Sequence, residues 1–154
     1  MTLSETPGAV NRFRKESWRF QTTFQTPLKN LGPFVSAIFS AVEPISDGCV
    51  TIDAVALDPR NLKGLLVAHS LETSIAHNWS IVATGPDETA GLLKAALGDW
   101  IDFIFLPKPK SFAIYADHDE YTTFFARTKS NHDSIIRRLS AEGFKVVPNY
   151  RREF

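Results

Sequence analysis

A chain of 154 residues that is 44% hydrophobic and 12% aromatic can bury a core of its own, which excludes a disordered segment. Its formal net charge is zero, with seventeen basic and seventeen acidic side chains, which disfavours a general nucleic-acid binder. The single cysteine, Cys49, cannot close an internal disulfide, and no apolar run approaches the ~18 residues of a membrane span. The first residues, Met1 to Pro7, lack the charged-then-apolar plan of a secretory leader, so the expectation is a soluble, cytoplasmic protein.

The charges are segregated along the chain. Residues 1–42 carry a net +3, residues 43–120 a net −7 and residues 121–154 a net +4. An acidic middle between basic ends is expected to pair internally once the chain folds.

Residues 1–12 read as a flexible, polar N-terminal arm, followed by one globular domain over 13–154. Trp18, Phe20 and Phe24 approximate a period of two, which predicts a strand over 16–25. From Pro27 the apolar residues Leu28, Leu31, Phe34, Val35, Ile38, Phe39 and Val42 fall at helical spacing, with Gly32-Pro33 allowing a start at Pro33. Cys49 to Leu57 is rich in Val and Ile and reads as a strand. Asp58-Pro59 is a cap and first-turn proline, predicting a helix to about Ala76. Trp79–Ala83 reads as a strand, and Thr84 three residues before Asp87 opens a helix carrying Thr89, Leu92, Leu93, Ala96, Leu97 and Trp100.

Asp102–Leu106 is the next strand and Pro107-Lys-Pro-Lys110 a stiff loop. Two further strands, Ser111–Ala116 and Tyr121–Ala126, flank an acidic turn. Ser130 or Asn131 caps a last helix with Ile135, Ile136 and Leu139, which Gly143 stops before a short strand over 144–147 and a basic tail. This string predicts an α+β fold, a single mixed sheet with βαβ units and an antiparallel C-terminal hairpin, covered by about four helices.

The hairpin turn Asp117-His118-Asp119-Glu120 carries the chemistry. A two-residue loop pairs Asp117 with Glu120, and a four-residue loop pairs Ala116 with Tyr121; both give one register. Either way three carboxylates crowd one sheet end, where facing like charges are unfavourable. A basic partner, a metal ion or a basic residue of this chain should relieve them. The leading reading is a non-enzymatic binding module, of inhibitor or immunity type. It would present Asp117, His118, Asp119, Glu120 and Tyr121 to a basic protein, with Asp99 and Asp102 as possible additions. An ordinary solvated turn is the plain alternative.

A second reading uses Asp117, Asp119 and Glu120 as oxygen ligands for Mg²⁺ or Mn²⁺ in a small hydrolase or nuclease. A third brings Arg12, Arg14, Lys15 and Arg19 together with Arg151 and Arg152 as a phosphate-contacting surface, with Trp18, Phe20 or Tyr150 to stack on bases. No Gly-x-Ser-x-Gly, Walker or dinucleotide-binding glycine pattern is present, so no cofactor is expected. His69, His77 and His132 read as boundary or helix-end residues, and Cys49 as a small buried hydrophobe.

Overall fold

The computed structural model describes residues 1–154. Seven strands form one sheet: β1 (Thr2–Glu5), β2 (Phe20–Gln25), β3 (Asp47–Val55), β4 (Trp79–Thr84), β5 (Ile101–Lys108), β6 (Ala113–Ala116) and β7 (Tyr121–Ala126). Five helices accompany it: α1 (Ala9–Lys15), α2 (Leu31–Ser40), α3 (Arg60–Ala68), α4 (Pro86–Gly98) and α5 (Lys129–Ala141). The strand order is β1-β4-β3-β5-β6-β7-β2 and every hydrogen-bonded pair is antiparallel. The α+β class therefore stands, but no two parallel strands bond each other directly. Strands β4 and β5 both run opposite to β3, which lies between them, so β4-α4-β5 is a βαβ unit split by an inserted strand.

One face of the sheet holds the large core, where α2, α3, α4 and α5 bury Phe34, Ile38, Leu62, Leu66, Leu92, Leu97, Ile135 and Leu139 against Ile52, Ile81, Phe103, Phe105 and Phe124. The approach of α4 to β3 depends on Gly48. A Cβ there would lie 2.5 Å from the Thr89 methyl and 2.7 Å from the Phe105 ring. The other face carries a smaller cluster, Val10, Phe13, Ile104, Ala113, Tyr115 and Phe125, with Trp18 and Leu106 at its margin.

That second cluster corrects the reading of residues 1–12 as a loose arm. Thr2–Glu5 pairs along β4, and Val10 and Phe13, three residues apart, dock α1 on the sheet. The polar composition hid this because only one narrow apolar stripe is needed for a seven-residue helix.

Several helix ends depart from their sequence signals. Helix α3 stops at Ala68 rather than near Ala76, with Ser70 in a left-handed conformation (φ 57°). Its N-terminus is capped from a distance: Asn61 N and Leu62 N donate to the Asp99 carboxylate at 2.9 and 2.7 Å, and Asn61 Nδ2 adds a third bond. Helix α5 is capped by Thr128, whose hydroxyl accepts from Asn131 N, not by Ser130 or Asn131. Gly143, at φ 86°, ends it as expected. The chain then runs beside the outer edge of β2, with a bridge between Phe24 and Val146, and crosses onto the α1 face.

Candidate functional site

The β6–β7 loop differs from both loops expected of the sequence. Ala116 pairs with Thr122, and Asp117 N donates to Tyr121 O at 3.0 Å, so the register is shifted by one residue. The turn is the three residues His118, Asp119 and Glu120, with Glu120 left-handed at φ 66°. A type I turn followed by a left-handed residue is the common three-residue hairpin. The Asp117 side chain builds it, since Oδ1 accepts from Asp119 N and Tyr121 N, both at 3.0 Å.

The carboxylates are largely relieved within the chain. Register extension from Phe103 opposite Ala116 sets Asp102 and Asp117 side by side. Arg152 reaches Asp117 Oδ2 at 2.7 Å, with the two side chains only 9% and 10% exposed. The Arg152 guanidinium also donates to the Thr123 hydroxyl at 2.9 Å and lies 4.6 Å from the Tyr115 ring centroid. Asp102 Oδ1 accepts from His118 N and from His118 Nδ1 at 2.9 and 2.7 Å, and this pair raises the His118 pKa. Arg127 and Lys129, the next cations along the chain, go elsewhere, to Glu16 and Asp133.

What the loop leaves to solvent is Asp119, with 78% of its side chain exposed, the outer face of His118, and part of Glu120 and Tyr121. Tyr121 packs edge-on against Tyr150 of the tail at 4.9 Å. Asp99 is buried as the cap of α3 and is not part of this surface. At the same end of the sheet, where β3 ends and β5 begins, lie three exposed apolar side chains. Val55 stands opposite Ile101, Leu57 follows it, and Trp100 precedes Ile101. Trp100 is 41% exposed and left-handed at φ 51°, a strained backbone for a bulky residue.

Sequence reasoning missed a polar seam that continues from Asp117 across the sheet. The register of β3 against β5 slips between Ile52 and Ala54, so Asp53 is a bulge residue that turns onto the α1 face. Tyr115 Oη donates to Asp53 Oδ2 at 2.5 Å, Arg14 reaches the same oxygen at 2.6 Å, and His77 Nδ1 donates to the Asp53 carbonyl at 2.8 Å. Burial, and then the Asp53 carboxylate, push the Tyr115 phenol well above its usual pKa. The signal for this site was a lone carboxylate within Thr51-Ile52-Asp53-Ala54-Val55, an otherwise apolar strand. With every group partnered and Phe154 packed over Tyr115 at 5.0 Å, the seam holds the tail and α1 to the sheet.

No group of three or more His, Cys, Asp or Glu side chains is placed to hold a metal ion, and Asp117 is held by Arg152. The two chain ends do meet, through Arg14 over Phe154, but Arg14 and Arg152 are committed to Asp53 and Asp117. His69 and His132 sit at helix boundaries near Glu88 and Asp133, and Cys49, half-buried, has its thiol pKa raised by burial. No helix is long and apolar enough to cross a membrane. The chain matches no protein-family model, no curated protein and no solved structure.

Proposed function

We propose that this chain is a non-enzymatic protein-binding module, of inhibitor or immunity type, that meets a basic partner with one end of its sheet. The contact surface is His118, Asp119, Glu120 and Tyr121, extended by Val55, Leu57 and Trp100. Asp117 serves it from behind by shaping the turn.

The supporting observation is Trp100. A large aromatic kept partly exposed in a strained conformation, two residues from the Asp102–His118 pair, costs backbone stability. Aromatic anchors ringed by charge are what binding surfaces use for affinity and for orientation of a charged partner. A cationic partner would find Asp119 and Glu120 uncommitted beside that anchor.

The test is co-purification from cells of the native source, comparing the wild type with Asp119→Lys/Glu120→Lys and, separately, Trp100→Gly. Glycine tolerates the left-handed position, which offsets part of the lost indole packing, so Trp100→Gly should still fold, as a circular-dichroism melt checks. A stoichiometric partner lost from both variants supports the reading; a partner that both variants keep ends it.

A further inference from the structure

At the opposite end of the hairpin the charge crowding is of the other sign, and it is relieved only in part, through Glu16 on Arg127. Phe20 pairs with Ala126, so the next residues in register, Arg19 and Arg127, face each other where β2 begins and β7 ends. Like charges directly opposite on neighbouring strands repel. Together with Ser17 the two arginines line an open concavity of about 560 Å³. The Arg127 guanidinium lies 5.3 Å from the Trp18 ring centroid, the Lys110 ammonium 5.5 Å from it, and Arg19 rests 5.8 Å from the Phe20 ring.

Only one carboxylate serves this group. Glu16 accepts from Lys110 at 2.9 and 3.0 Å and from Arg127 at 2.9 Å, while Lys15 and Arg19 form no ion pair. The pull of both cations holds the Glu16 carboxyl below its ordinary pKa despite its partial burial. The Trp18 indole N–H is buried and has no acceptor in the chain. The segment 15–19 is thus rich in donors and positive charge and poor in acceptors.

From this geometry we infer that Ser17, Arg19 and Arg127 form a binding site for a phosphate monoester or free phosphate. Paired guanidiniums offer the planar N–H forks that bind phosphate oxygens bidentately, and a hydroxyl at the rim supplies a further donor. The concavity is lined by Ser17, Arg19 and Arg127 alone, so the polar groups facing it are two guanidiniums and a hydroxyl. Trp18 takes no part as a base-stacking platform, because Lys110 and Arg127 already occupy its surroundings. A dianion between Arg19 and Arg127 removes their mutual repulsion, so binding and stability are coupled.

The experiment titrates the intact protein with inorganic phosphate, phenyl phosphate and an oligothymidylate lacking terminal phosphates, each against chloride at equal ionic strength. Calorimetry and thermal melting are the readouts. The expected result is saturable binding of the first two and a Tm that rises with their concentration. Arg19→Gln should weaken that binding roughly tenfold or more, as loss of a charge-assisted hydrogen bond does. In phosphate-free buffer the same variant should melt no lower than wild type, since it relieves the facing arginines. Equal Tm rises in chloride, or unchanged phosphate affinity in Arg19→Gln, would overturn the site. Binding of the oligothymidylate alone would also overturn it, in favour of a surface for phosphodiester backbones.

Discussion

Asp117 and Arg152 are 35 residues apart in sequence and form the most buried ion pair between side chains in the molecule. Removing one member of such a pair strands the other charge away from water. Arg152→Ala is therefore expected to lower unfolding free energy by about 3 kcal/mol in urea titrations. It should also speed amide exchange through residues 149–154, because Arg152 N and O are further clipped to the Gln21 side chain. Tyr115 gives a second residue-scale prediction. It should ionise above the usual tyrosine value in an absorbance titration, and Asp53→Asn should bring it down. His118 gives a third. Its pKa is raised in the folded chain by Asp102, then by Asp119 and Asp117, so the folded state holds this proton more tightly than the unfolded one. Stability from the pair is complete below the ordinary histidine value and is lost as pH rises through the raised one. An NMR titration of His118 in wild type and Asp102→Asn checks it, the variant titrating lower. The crowding at Asp117 was legible in the sequence because it is local. Its partner was not, because Arg152 arrives only by way of a tail that folds back around the edge of β2.

Elements were legible where one strong local signal set each boundary. Strands β4 and β7 lie within a residue of their expected limits, while helix α4 starts at its first-turn proline but ends at Gly98, leaving Trp100, expected on its apolar face, in the turn beyond. Helix α3 was overextended because Leu71 and Ile75 continue an apolar spacing, yet they pack on the core from a loop after Ser70. Its start was also assigned to the wrong carboxylate. Asp58 pairs with Lys63 and Arg60, whereas Asp99, the residue closing α4, caps α3. A cap supplied from 37 residues away has no sequence signature. Burial raises the Asp99 carboxyl pKa, and the three N–H donors oppose that rise. Asp99→Ala should cost about 1–2 kcal/mol, a typical price for a lost cap. Hydrogen exchange should show the loss concentrated in Arg60–Ala68, with α4 protected by its own packing.

At the scale of the whole molecule, the class was legible and the strand order was not. Alternating strands and helices fit either adjacent parallel strands or the split arrangement seen here, and local pattern does not distinguish them. Inserting β3 between β4 and β5 is decided by tertiary pairing: β3 has ladders on both sides, to β4 and to β5. The segregated charges did predict something global. Arg14–Asp53 and Arg152–Asp117 tie the basic ends to the acidic middle. Raising the salt concentration should accordingly move the urea midpoint little through the buried Asp117–Arg152 pair and more through the exposed pairs. Comparing salt dependence in wild type and Arg152→Ala would separate the two contributions.

The pairing of β2 with β7 also sets an order in time. Strand β2 lies near the start of the chain, yet its only ladder partner ends at Ala126. The meander β5-β6-β7 is joined by short connections and can close first, since local contacts forfeit the least chain entropy. Until then Phe20–Gln25 has both backbone edges open. During synthesis or refolding this segment is therefore the one most exposed to pairing with another chain. Pulsed hydrogen exchange should find β6 and β7 protected before β2, which joins last although it is made among the first.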